Sequence, residues 1–129
     1  MSARLILALD AMGGDHAPSA VVRGANLALR RHPQTEFLFF GREPQLRPMI
    51  DRLRKLRGAS QIIHTDDVVK GDDKPSIALR SGRQSSMRLA INAVRDGHAS
   101  AVISGAVRFS MNALSTIRCS AGTPPPFWR

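Results

Sequence analysis

Short apolar runs alternate with longer segments of helical period along this chain, and that alternation restricts its fold more than any other feature. The stretches Leu5–Leu9, Glu36–Phe40, Gln61–His64 and Ala99–Ser104 have the length and composition of strands largely buried in a sheet. After Pro18-Ser19, residues Val21, Val22, Ala25 and Leu29 recur at helical spacing up to Arg31, and His32-Pro33 closes the segment. Leu46, Met49, Ile50 and Leu53 share one face of a helix predicted from about Pro44 to Arg57. A further helical region runs from Ser76 to Arg95, interrupted near Gly82, beyond the polar, turn-rich stretch Thr65–Pro75. Strands alternating with helices imply an α/β fold, a parallel sheet in a three-layer arrangement.

The 129 residues suffice for one compact domain, and the chain shows neither an internal repeat nor a low-complexity linker. No apolar run approaches the roughly 20 residues of a membrane-spanning helix, and the first residues lead straight into a strand, so the chain reads as cytoplasmic. The single cysteine, Cys119, can form neither an internal disulfide nor a zinc cluster of thiols. A formal net charge of +9 favours anionic partners: nucleic acid, anionic lipid or acidic proteins. The basic residues are scattered and aromatic residues are few, so nucleic acid is not the expected partner.

Two loops carry candidate chemistry. Asp10-Ala11-Met12-Gly13-Gly14-Asp15-His16-Ala17-Pro18 lies where the first strand passes into the first helix, at the edge where open α/β sheets place ligands. Paired glycines bring bare N–H groups close to an oxyanion, and the helix adds its positive end. A plain tight turn with solvated Asp15 and His16 accounts for the same residues, and local physics leaves both readings open. In Arg80-Ser81-Gly82-Arg83-Gln84-Ser85-Ser86-Met87, two guanidinium groups and two hydroxyls precede a helix, a set able to grip phosphate oxygens. The simpler reading is that Ser85 or Ser86 caps the helix while the arginines face water. His64-Thr65-Asp66-Asp67 and Asp72-Asp73 are assigned to solvated loops with no metal, and His98 to the turn before the last strand.

Leu9 to Pro18 resembles, almost letter for letter, the opening signature of the bacterial acyl carrier protein:phosphate acyltransferase family. The similarity continues through Phe40-Gly41-Arg42, His64 to Val69, Lys74 to Arg80 and Ser85-Ser86-Met87, and spans about residues 4 to 104. The resemblance implies the Rossmann-like fold of the phosphate acyltransferase superfamily, here incomplete. It also implies a homodimer, at most peripheral membrane association, and transfer of a fatty acyl group from acyl carrier protein to inorganic phosphate. Attack of phosphate on a thioester needs the anion held and a developing oxyanion stabilised, with no metal or organic cofactor. On this basis Asp10 and His16 are the expected catalytic residues, with Asp10 ordering the loop. Gly13, Gly14, Arg80, Arg83, Ser85, Ser86 and Ser104 are the expected substrate-binding residues.

The resemblance breaks after Ser104. The family pattern Ser-Ala-Gly-Asn-Thr-Gly-Ala-Leu-Met gives way to Ser104-Gly105-Ala106-Val107-Arg108-Phe109-Ser110-Met111-Asn112. Residues 1–104 are therefore expected to be the amino-terminal part of the family's α/β domain, and 105–129 an aberrant, frameshifted tail. The chain is also short for the family, and alone it is expected to be inactive and poorly soluble, since truncating a parallel sheet bares an edge. The alternatives are an inactive fragment, and a small basic protein that binds nucleic acid or acyl carrier protein.

Overall fold

The computed structural model describes residues 4–68 and 84–105. Four strands, β1 (Ile6–Asp10), β2 (Glu36–Gly41), β3 (Ser60–His64) and β4 (Ala101–Ser104), form one sheet in the order β3-β2-β1-β4. Every pairing is parallel, with Leu9 opposite both Phe39 and Ile103, and Phe39 opposite Ile62. The α/β architecture with a parallel sheet is thus the one the sequence implied.

Side-chain alternation along the strands builds two apolar layers. Leu9, Phe37 and Phe39 point to one face, where α1 (Ser19–Arg31), α2 (Glu43–Asp51) and α3 (Arg54–Gly58) bury Val22, Ala25, Leu29, Leu46, Ile50 and Leu56 against them. Ala8, Leu38 and Phe40 point to the other face and meet Ala90, Ala93 and Val94 of α4 (Ser86–Arg95). The central strands therefore need apolar residues at every position, which is why Phe37-Leu38-Phe39-Phe40 runs unbroken.

The helix expected from Pro44 to Arg57 is two helices. α2 ends at Asp51 on a tight bond from the Leu53 N–H to the Ile50 carbonyl, and α3 restarts at Arg54. The turn redirects the chain so that Leu56 enters the core with no exposure, while Leu53 packs at its margin. Apolar spacing alone continues across Arg52-Leu53 and hides this break.

β2 and β3 follow β1 on one side, whereas β4 joins β1 on the other. The chain reverses its direction of sheet growth there, and α1 and α4 leave opposite faces. That reversal makes the carboxyl ends of β1 and β4 the switch point of the sheet, the place where sheets of this type bind ligands. Among the described residues, no helix is long and apolar enough to cross a membrane.

Candidate functional site

Asp10, the last residue of β1, lies at this switch point and is 2% exposed. A buried carboxylate costs several kcal/mol unless it is paired or hydrogen-bonded. Here Ser86 Oγ donates to Oδ1 at 2.6 Å, and Ser104 Oγ donates to Oδ2 at 2.8 Å. Asp10 thereby joins the start of α4 and the end of β4 to the loop that follows β1.

The loop folds over this cluster. A Cβ on Gly13 would lie 2.4 Å from Asp10 Oδ2 and 2.8 Å from Ser104 Oγ, so no side chain fits there. Gly14 has φ +100°, a conformation that L residues rarely adopt, and faces the Gly105 backbone. The Gly13 N–H donates to the Asp10 carbonyl at 3.3 Å and that of Ala17 to the Gly14 carbonyl at 3.4 Å. Among the described residues the N–H groups of Gly14, Asp15 and His16 meet no acceptor, and all three residues are exposed. They are the loop's available anion donors, and α1 starts just beyond them after a cis Ala17–Pro18 bond. The exposed His16 side chain stands beside this loop, while its carbonyl accepts from Ser19 Oγ and the Ala20 N–H.

Ser85 caps α4, its Oγ accepting from the Arg88 N–H at 3.3 Å. The Ser86 N–H donates to the Asp67 carbonyl at 3.0 Å. The first turn of α4 is therefore largely satisfied from within the protein, and the loop after β1 offers the more accessible donors. Arg80 and Arg83 lie outside the described residues, as do Cys119 and the tail beyond Gly105.

Thr65 ties the site together and was hidden in the sequence among aspartates assigned to solvent. It is buried; its N–H donates to the Gly41 carbonyl, its Oγ1 donates to the Gln84 carbonyl, and the same Oγ1 accepts from the Asp67 N–H. A polar seam thus follows the carboxyl ends of the strands, from Gly41 through Thr65 and the start of α4 to Asp10 and Ser104. His64 closes its far end, Nδ1 accepting the Glu43 N–H at 3.2 Å at the start of α2, with Nε2 3.4 Å from the exposed Asp66. No group of three or more His, Cys, Asp or Glu side chains among the described residues could hold a metal ion.

The assembled site offers backbone donors for an oxyanion, hydroxyls anchored on a buried carboxylate, and an exposed histidine in the same loop. Comparison with known proteins is consistent with that chemistry. The profile of a family described as "Fatty acid synthesis protein" matches residues 5–121. A phosphate acyltransferase of Rhodospirillum centenum is 55% identical over 104 residues, covering 81% of this chain and 29% of the relative. Phosphate acyltransferases of Azorhizobium caulinodans and Parvibaculum lavamentivorans are 50% and 45% identical over 118 residues, covering 91% of this chain and 33% of each relative. The chain spans about a third of the length of these curated relatives.

Proposed function

From the premise that the chain belongs to the fatty acid synthesis protein family of phosphate acyltransferases, we propose that it forms the phosphate-handling edge of an enzyme that transfers a fatty acyl group from acyl carrier protein to inorganic phosphate. A phosphate oxygen attacks the thioester carbonyl carbon, the C–S bond breaks, and acyl phosphate leaves together with the carrier protein's free thiol. The observation that carries this reading is the meeting of Asp10, Gly13, Gly14, Ser86 and Ser104 at the switch point of the sheet.

In this reading the N–H groups of Gly14, Asp15 and His16 hold the phosphate. Asp10 is a positioning residue: it fixes Ser104 beneath the loop and Ser86 behind it. His16 lies in the same loop, where an imidazole can move a proton to the departing sulfur. Arg80 and Arg83, in the segment just before α4, supply balancing positive charge for the dianion. The whole protein is a homodimer of the cytoplasm, with acyl carrier protein as its acidic partner.

The test is a chimera in which the matched 104 residues of this chain replace those of the Rhodospirillum centenum relative. Supplied with acyl-loaded carrier protein and phosphate, it is expected to release free thiol and an acyl phosphate that hydroxylamine traps as a hydroxamate. Thiol release that does not depend on phosphate, or no hydroxamate at all, would overturn the proposal.

A further inference from the structure

β4 is an edge strand with the composition of an interior one. Ala99 to Gly105 holds no charged residue and no proline, although 22% of the chain's residues are charged. Sheets ordinarily guard an open edge with charge, proline or a covering element. The other edge, β3, is finished: Ile62 packs on one apolar layer, Ile63 on the other, and the exposed Gln61 and His64 stand beside them. β4 is not. Ile103 lies opposite Leu9 and Ala101 opposite Leu7, so both turn to the face that α1, α2 and α3 cover over β1 and β2. Those helices stop short of β4, which leaves Ala101 exposed and Ile103 52% exposed. Leu5, two residues before Leu7 and hence on the same face, is 45% exposed. Two of the three large apolar side chains exposed among the described residues therefore share one strip beside β4.

The backbone is open on the same side. The Leu5 carbonyl and the Ala11 N–H serve β2, so alternation turns Ala8 toward β4. In a parallel pair, Ala8 bonds to the residues on either side of its partner Val102, namely Ala101 and Ile103. The Val102 N–H and C=O therefore point away from β1, where no strand lies among the described residues.

We propose that β4 is a docking edge for a second polypeptide, the part of a phosphate acyltransferase that this chain does not match. That partner adds a strand at Val102 and lays apolar side chains on Leu5, Ala101 and Ile103. The occupant follows from length and chemistry. The matched residues make up only 29% to 33% of the relatives, so most of each relative's core comes from segments outside them. An uncharged strand with apolar residues on both faces is what a parallel sheet holds in its middle, and β4 becomes one when such a segment joins it. A second copy of this chain fits less well. Pairing β4 with its own copy lays two edges side by side but brings no helix over Ile103, and each face of an α/β sheet needs a covering layer. The inference goes beyond the phosphate reading and does not depend on it.

The experiment co-expresses the 129-residue chain with the unmatched remainder of the Rhodospirillum centenum relative, the remainder alone carrying an affinity tag. The two are expected to copurify in equal amounts, and hydrogen exchange at the Val102 amide should slow about tenfold or more relative to the chain alone. Ile103→Lys sets an unpaired charge on the strip and should cut copurification about tenfold or more. Leu27→Lys is the control: Leu27 is 52% exposed like Ile103, but it lies on the side of α1 away from the buried Val22, Ala25 and Leu29, and its variant should copurify like the parent. Absence of copurification, an unchanged Val102 rate in the complex, or equal behaviour of the two lysine variants overturns the proposal. Protection of Val102 that grows with the concentration of the chain alone makes a second copy the occupant and overturns it too. If circular dichroism shows that Ile103→Lys does not fold, the Val102 amide of the unaltered pair decides.

Discussion

Gly13→Ala puts the packing of the site to a direct test. The added Cβ would lie 2.4 Å from Asp10 Oδ2, 2.8 Å from Ser104 Oγ and 3.0 Å from Asp10 Cγ. Asp10 cannot retreat freely, because Ser86 and Ser104 hold its two oxygens from separate elements of the fold. Relief requires either breaking one of these bonds to a charged acceptor, about 1.5–3 kcal/mol, or moving the loop at an overpacking cost of about 1–3 kcal/mol. The variant should therefore lose about 2 kcal/mol of stability. Urea unfolding followed by far-ultraviolet circular dichroism reads this as a lower midpoint with an unchanged slope. The control is Gly24→Ala on the exposed side of α1, where an added Cβ meets nothing within 4 Å. A Gly13→Ala midpoint within error of the parent would refute the idea that the glycine is required by the carboxylate beneath it.

Other substitutions probe the remaining parts of the account. Gly24→Ala itself should raise stability by about 0.5–1 kcal/mol, read as a higher midpoint, since alanine is the better helix former and the site is unobstructed. Phe39→Ala, at the fully buried centre of β2, should cost about 3–5 kcal/mol in the same titration. Thr65→Val keeps the shape of the buried side chain but leaves the Gln84 carbonyl and Asp67 N–H without their partner, for a loss of about 1–3 kcal/mol. Hydrogen exchange at the Ser86 amide should accelerate in that variant and return toward the parent rate in Thr65→Ser.

The sheet was readable because its central strands are buried on both faces, which leaves runs such as Phe37 to Phe40 with no polar interruption. Strand limits moved by no more than two residues between expectation and structure, as at Ala101, where Ser100 precedes the strand with its N–H on the Ile6 carbonyl. The break at Arg52-Leu53 was not readable, because Leu53 and Leu56 both suit an uninterrupted apolar face. At the site, the glycine pair announced a close approach of backbone to something. What lies beneath it did not follow from local sequence, since Asp10 is joined to Ser86 and Ser104 across 76 and 94 residues. Thr65 was obscured for a similar reason. Its neighbours Asp66 and Asp67 are exposed, and the threonine beside them is buried where the chain returns at Gln84.

The central claim is that the loop at the switch point between β1 and β4, rather than the chain's general positive charge, is where phosphate binds. The direct measurement is a phosphate titration with every backbone amide resolved by nuclear magnetic resonance. The account predicts saturable shifts at Gly14, Asp15, His16 and Ser104. Shifts confined to the exposed cations Arg54, Lys55 and Arg57 of α3 would contradict it.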